Sequence, residues 1–196
     1  MIMNVYENLP TVESKNFVLR GVVMQDAENL LKVYSDEKAV PLFNGDNCHG
    51  DDFHYTTIER MKEAIGFWLF SYDNGYFVRW AIVYKATNEA VGTIELFHRE
   101  DEVADYDNCG LLRLDLRSDF EKEDAIAEIL TLSSQLTFDL FGDKVVTKVK
   151  ASATERLAAV ARLGFVLPKV ALKGNQSEEF NDYYVLKKSD WISGCI

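Results

Sequence analysis

The chain has 196 residues, 47% of them hydrophobic, and a formal net charge of −11 at pH 7. This length allows one domain with its own core, and we expect a single domain over residues 1–196. The negative charge disfavours a nucleic-acid partner, and no apolar run approaches the roughly 20 residues that span a membrane. Three scattered cysteines and an N-terminus without signal-peptide features predict a cytoplasmic protein.

The N-terminal half alternates strand and helix signals. Residues 16–23 read as a strand, and Asp26 can cap a helix that continues to about Ser35. After a polar loop over residues 40–55, a helix with one apolar face is predicted over 57–73. Strands over 76–84 and 90–98, separated by a short turn, then predict a β-hairpin.

The polar loop carries groups that can ligate metals, Cys48, His49 and His54 together with Asp46, Asp51 and Asp52. Their spacing fits no zinc pattern, so we expect no metal. A set of aromatic residues follows, which the acidic charge marks as core and cleft lining rather than as a nucleic-acid platform. They are Phe67, Trp68, Phe70, Tyr72, Tyr76, Phe77 and Trp80.

The stretch from Asn108 to Gly142 predicts a strand that turns directly into a long helix. Leucines at every second position over 112–116 indicate the strand, and apolar residues at helical spacing follow. Ser118 and Glu121 fit the S-x-x-E capping box at the helix start. Free backbone N–H groups and the helix dipole converge there, which makes the turn a natural place to hold a phosphate.

The C-terminal part completes a regular alternation of elements. We predict a strand over 145–150, then a helix opened by a second capping box, Ser152 and Glu155, and closed at Gly164. Strands over 165–172 and 182–186 form a final hairpin. The whole order, β-α-α-β-β-β-α-β-α-β-β, predicts an α/β protein with a mixed, strongly twisted sheet and helices on both faces.

This element order, with its central strand, turn and helix and a later Gly164-Phe165, resembles the GNAT N-acetyltransferase family. The resemblance implies a GNAT-like acyl-CoA N-acyltransferase fold and acetyl-CoA as cosubstrate. In that family the turn carries R/Q-x-x-G-x-G/A, whose amides hold the pyrophosphate of acetyl-CoA. A longer form of the family pattern, x-P-x-Y-R-G-K-G-x-A, falls on residues 117–126 of this chain. Glu121 then stands in place of its arginine, and Lys122 and Asp124 stand in place of the two glycines.

The resemblance also implies which residues hold acetyl-CoA: the central strand would pair with the pantetheine arm, and the turn amides would meet the pyrophosphate. The expected set is Leu114, Asp115, Leu116, Arg117, Ser118, Lys122, Glu123, Asp124 and Ala125. Four carboxylates stand at the same helix start and would repel an anion. They are Asp119, Glu121, Glu123 and Asp124. A well-capped helix with an acidic end is therefore the competing interpretation of this turn.

The candidate catalytic bases are Glu95 and His98, both on the 90–98 strand. Glu95 alternates with Ile94 and Leu96, so we expect it to lie on the opposite face of the strand from them. In GNAT proteins this strand flanks the acceptor amine, and a Glu on it sometimes acts as base; the competing interpretation makes both residues surface groups. The tyrosine that many GNAT enzymes use as general acid falls on Val160, so that group is missing. The remaining hydroxyl candidates are Ser133, Ser134, Tyr183 and Tyr184.

The resemblance thus implies transfer of an acetyl group to a primary amine, on a small molecule or a peptide N-terminus, by direct attack in a ternary complex. Whether the protein acts as a homodimer stays open. The missing glycines, arginine and tyrosine favour an alternative, a GNAT-fold binding or regulatory module without turnover. A third alternative is an unrelated α/β ligand-binding domain.

Overall fold

A computed structural model of the chain describes residues 4–48, 50–174 and 176–191. The strands in this part of the chain are β1 (Val12–Glu13), β2 (Phe17–Gly21), β3 (Val78–Tyr84), β4 (Glu89–Arg99), β5 (Cys109–Leu116), β6 (Lys144–Lys148), β7 (Leu172–Lys173), β8 (Glu179–Phe180) and β9 (Tyr183–Lys187). The α-helices are α1 (Ala27–Tyr34), α2 (Ile58–Asp73), α3 (Glu123–Leu140) and α4 (Thr154–Arg162).

Seven strands form one mixed sheet in the order β1-β2-β3-β4-β5-β6-β9, and β7 pairs with β8 in a separate ribbon. Neighbouring strands are antiparallel except β5 and β6, which run parallel. The parallel pair requires a crossover connection, and α3 supplies it. The predicted mixed α/β sheet is therefore confirmed.

The sheet is buried on both faces, as predicted. Alternation along β3 sends Trp80 and Ile82 to a core that includes α3 and α4, and sends Ala81 and Val83 to a second core with α1 and α2. We call these the α3/α4 face and the α1/α2 face of the sheet. No helix in the described ranges is long and apolar enough to cross a bilayer.

The predicted strand over 165–172 is wrong for most of its length. Only Val166 makes a bridge, to Val185 of β9, and a short strand begins again at Leu172. Pro168 lies between them and has no N–H to donate, so a continuous ladder along β9 cannot form there.

Both predicted capping boxes are also wrong. Residues Ser118–Phe120 form a 3₁₀ turn and α3 begins only at Glu123, with no side-chain cap. The second helix, α4, begins at Thr154 and likewise has no side-chain cap bond. The carboxylates of the two predicted boxes, on Glu121 and Glu155, instead make contacts with other elements, which are described below.

Candidate active site

A groove opens where the parallel strands β5 and β6 stop pairing. Their register runs from Cys109 with Lys144 to Leu112 with Thr147, and the last four residues of β5 pair with β4 but no longer with β6. We call the space between residues 113–116 and 148–150 the β5–β6 groove. Backbone groups on this edge of β5 are available to a partner other than β6.

Arg156 of α4 fills most of this groove. Its Nη1 donates hydrogen bonds to the carbonyls of Leu114 (3.0 Å) and Leu42 (3.1 Å), and its guanidinium pairs with the carboxylate of Glu121. The side chains of Arg156 and Glu121 are only 4% and 9% exposed. The cavity that remains has about 10 Å³, about the room of one water molecule. The Leu114 carbonyl, expected to meet the pantetheine arm, is thus already bonded.

The turn before α3 binds anions, and in this structure the anions are the protein's own carboxylates. Asp36 Oδ2 accepts a hydrogen bond from the Ser118 N–H at 2.9 Å, and Glu155 Oε2 accepts one from the Glu123 N–H at 2.8 Å. Burial by itself would raise the pKa of Asp36, but hydrogen bonds, chiefly from Ser118, bring this pKa below its usual value. Two N–H groups of this turn thus already donate to carboxylates of the protein.

Each of the four carboxylates at this helix start pairs with an arginine. Asp119 bonds to Arg117, at 2.7 and 3.0 Å. Arg162 lies 2.6 Å from Asp124 and 3.7 Å from Glu123. Glu121 pairs with the groove arginine, as described above. These pairs offset the negative charge that was expected to repel an anion.

The other residues expected at acetyl-CoA are divided between both faces of the sheet and the solvent. Leu114 and Leu116 are buried in the α3/α4 core, whereas Asp115 is buried on the opposite face. Lys122 is exposed at the N-cap of α3, and Ala125 lies half-buried in the first turn of this helix.

A cavity of about 500 Å³ lies on the α1/α2 face, against β3, β4, β5 and α2. Its lining is Asn47, Cys48, Asp51, Phe53, Tyr55, Arg60, Ala64, Phe67, Trp68, Tyr76, Phe77, Arg79, Glu95, Phe97, Arg99, Leu111, Arg113 and Tyr183. This is a typical volume for a small-molecule site. The expectation that the aromatic set lines both core and cleft is confirmed for its members Phe67, Trp68, Tyr76 and Phe77.

Glu95 lies in the cavity wall between two arginines. Its Oε2 pairs with Arg79 Nη2, and its Oε1 accepts from Arg113 Nη1 at 2.7 Å. Arg79 also bonds to Asp115 at 2.9 Å and stacks on the Trp68 ring, 4.2 Å from its centroid. Glu95 is 2% exposed, so this carboxylate is tightly held by cations. The Nε–H groups of both arginines are buried without a hydrogen-bond acceptor.

Glu95 and His98, the two candidate bases, lie on opposite faces of β4. Glu95 faces away from Ile94 and Leu96, which belong to the α3/α4 core, as the alternation predicted. His98 lies on that core's face, where its Nδ1 contacts the carbonyl of Phe141 at the end of α3. The structure therefore does not bring the two candidates together, and only Glu95 lines the cavity.

Cys48 and Tyr183 are the other titratable groups of interest in the cavity wall. Burial raises the pKa of the Cys48 thiol to about 11 and also raises the pKa of Tyr183. Ser133 and Ser134 are buried within α3, away from the cavity. His49, part of the polar loop, lies outside the described residues. The described residues contain no cluster of three or more groups suited to a metal.

Sequence reasoning missed the arginines that shape both sites. Arg79 and Arg113 interrupt apolar strand patterns, and a charge inside a strand that is buried on both faces is a usable signal of a functional or paired group. Asp36 and Arg156 gave no such signal, because each contacts its partner from a distant part of the chain.

Comparisons with known proteins agree on the fold. No protein-family model and no curated protein sequence matches the chain. A ribosomal-protein-S5-alanine acetyltransferase from Vibrio fischeri superimposes with a TM-score of 0.65, at 15% identity, over 93% of this chain and 99% of that one. Mycobacterium smegmatis RimJ, solved in complex with CoA-disulfide, gives 0.66, at 14% identity, over 89% and 83%.

A GNAT-family acetyltransferase from Bacillus anthracis gives a TM-score of 0.66, at 11% identity, over 92% of this chain and 99% of that one. At these identities the likeness concerns the fold, and it extends over nearly the whole chain. The resemblance inferred from the order of elements is therefore confirmed at the level of structure. The chain has the fold of the GNAT N-acetyltransferases.

Proposed function

We propose that this protein transfers an acetyl group from acetyl-CoA to a primary amine. The observation that carries the proposal is that two successive residues of β5 line two different spaces, a groove and a cavity. Arg113 lines the cavity, and the next residue, Leu114, lines the β5–β6 groove. A thioester in the groove and an amine in the cavity would meet at this strand, as direct attack in a ternary complex requires.

The residues of the chain support the donor half of this reaction. The unpaired edge of β5 after Leu112 offers backbone groups to an amide-bearing arm. The turn at residues 118–125 has N–H groups that donate to the Asp36 and Glu155 carboxylates, which supports a role for this turn in holding a phosphate. Acetyl-CoA would supply the activated acyl group, and its thiolate is a tolerable leaving group without a general acid.

Glu95 is better suited to organising the cavity than to accepting a proton. Each of its oxygens already accepts a hydrogen bond from a guanidinium, and the side chain is almost fully enclosed. We assign it the role of holding Arg79 and Arg113 in place. His98 lies on the other face and has no path to the cavity within this arrangement, so it is a weaker proposal for the base.

The donor must displace parts of the protein before it can bind. Asp36 occupies one turn amide, Arg156 occupies the groove, and Asp46 bonds across its mouth to Arg113 and Lys148. The segment over residues 36–46 therefore lies along the donor path. We expect weak acetyl-CoA binding that depends on movement of this segment.

Calorimetric titration with acetyl-CoA tests the proposal, with Asp36→Asn as the informative variant. The substitution removes a negative charge from the turn, so acetyl-CoA should bind several-fold more tightly, most clearly at low salt. Glu37→Gln is the matched control, because it removes the same charge from an exposed neighbour. Thiol release with a panel of amines then reports turnover. Absence of acetyl-CoA binding in the wild type and in both variants would exclude acetyl-CoA as the donor.

A second candidate function is a GNAT-fold binding or regulatory module without turnover. The buried Arg156–Glu121 pair favours it, because this pair fills the place of the donor arm. Ligand binding in the cavity without acetyl-CoA binding, or acetyl-CoA binding without thiol release, would select this alternative.

A further inference from the structure

The cavity combines an aromatic wall with four arginines. Four arginines but only two carboxylates, Asp51 and Glu95, line it, in a chain whose net charge is −11. The arginines are Arg60, Arg79, Arg99 and Arg113. Each arginine already pairs with a carboxylate, and two of these partners, Asp101 and Asp115, lie outside the lining. A small anion that binds here must therefore replace one of these partners.

We propose that the cavity binds a small aromatic carboxylate. If the protein is an acetyltransferase, as proposed above, the acceptor is then an aromatic amino acid that is held by its carboxylate. The two parts of this ligand match two parts of the wall, the ring matching the aromatic residues and the carboxylate matching a guanidinium.

Arg60 is the guanidinium best placed to receive the carboxylate. Arg79 and Arg113 are buried and already neutralised by Glu95 and Asp115, so a further anion beside them would be uncompensated. The side chain of Arg60 is 45% exposed; it bonds to Asp51 at 2.9 Å and lies 4.6 Å from the centroid of the Tyr55 ring. An exposed ion pair of this kind exchanges readily for another carboxylate, and arginine can bind the newcomer through two N–H groups.

Two aromatic side chains of the cavity wall are largely exposed to solvent. Phe67 is 58% exposed and Tyr76 is 63% exposed, although both are large and line the cavity. Phe67 also lies 6.0 Å from Phe77, centroid to centroid, so the rings already form a surface on which a further ring can pack. A ligand ring placed there would remove these side chains from water.

Calorimetry without acetyl-CoA tests this inference with three probes. L-Phenylalanine and 3-phenylpropanoate carry the ring and the carboxylate, and 2-phenylethylamine carries the ring and an amine alone. We expect the two carboxylates to bind and the amine to bind at least about ten-fold more weakly, with carboxylate affinity falling as salt is added. Equal or tighter binding of the amine, or no binding of either carboxylate, would overturn the proposal.

Two pairs of variants locate the ligand. Arg60→Gln should weaken binding of 3-phenylpropanoate about ten-fold, whereas Lys62→Gln, an exposed cation on the same helix outside the lining, should not. Phe67→Ala should weaken it several-fold, whereas Phe70→Ala should not, since Phe70 is 55% exposed but does not line the cavity. Equal effects within both pairs would show that the ligand does not bind in this cavity.

These measurements stand apart from the test of acetyl transfer. Carboxylate binding with no acetyl-CoA binding would keep the ligand and reject the proposed reaction. Suppose instead that acetyl-CoA binds, that thiol is released in the presence of amines without a carboxylate, and that neither carboxylate probe binds. These results would support the proposed reaction and contradict the proposed ligand.

Discussion

Replacing Arg156 by methionine should be one of the most damaging single changes in the β5–β6 groove. The variant leaves the Glu121 carboxylate buried without its cation and leaves the Leu42 and Leu114 carbonyls without their donor. Removing one partner of a buried ion pair typically costs about 3–5 kcal/mol. In a protein of this size about 1 kcal/mol lowers the melting temperature by roughly 2–4 °C, so we expect a fall of about 6–20 °C.

The double variant Arg156→Met with Glu121→Leu separates the ion pair from simple packing. It removes both charges together, and replacing a buried pair by apolar groups of similar size is often close to neutral. We therefore expect the double variant to recover at least ~2 kcal/mol of what the single variant loses, with the two bare carbonyls accounting for part of the remainder. Urea unfolding measures both differences, provided that the m-values agree.

Arg162→Met is the matched control for this experiment. Arg162 lies on the same helix and pairs with Asp124 at 2.6 Å, but the pair is exposed to solvent and should contribute little. A single Arg156 variant that loses less than about 1 kcal/mol would refute the reasoning, since the groove would then not depend on a buried charge pair. A double variant as unstable as the single one would refute it in another way, by showing that the packing volume dominates.

Three further outcomes follow from the described geometry. Gly66→Ala, within α2 and with open space around the new Cβ, should raise the free energy of unfolding by about 0.5–1 kcal/mol in urea titrations. Gly92→Ala should lower it by about 1–3 kcal/mol, because its Cβ would lie 2.4 Å from the Asp115 carbonyl oxygen; no loss would contradict that close approach. With its pKa raised from 9.0 to about 11, Cys48 should react with iodoacetamide at pH 8 roughly 100-fold more slowly in the folded protein than in the urea-unfolded chain. Peptide mass spectrometry can follow this reaction, and the rate in the folded protein should rise up to about pH 11. Equal rates in both states would contradict the raised pKa.

Local patterns in the sequence were sufficient for the elements and for one site residue. The spacing of the apolar residues predicted the central strand and helix. The alternation with Ile94 and Leu96, which pack in the α3/α4 core, predicted that Glu95 lies on the opposite face of the sheet. Periodicity reports burial of neighbouring residues, so it works wherever a strand or helix has one uniform environment. It does not report which charged residues meet inside a buried sheet, and the Arg79–Glu95–Arg113 arrangement was therefore missed.

The failed capping box shows how a tertiary contact overrides a local one. An N-cap contributes about 1 kcal/mol, whereas leaving a buried arginine unpaired costs several times as much. Glu121 accordingly bonds to Arg156, 35 positions further along the chain, and leaves the start of α3 without a side-chain cap. Sequence alone does not indicate whether a distant arginine will pair with Glu121 or with its neighbour Asp119.

The absence of glycine from the turn before α3 has a consistent physical explanation in this structure. Lys122 has a φ of −129°, an ordinary extended value, so this position needs no glycine for its present conformation. A single carboxylate such as Asp36 reaches an amide without the close backbone approach that a pyrophosphate needs. The lowered pKa of Asp36 keeps this carboxylate charged near neutral pH, so a change of pH in that range would not free the Ser118 amide. Only a competing anion or a movement of residues 36–46 can do so. If acetyl-CoA binds here as proposed, its affinity therefore measures how readily that segment leaves the groove.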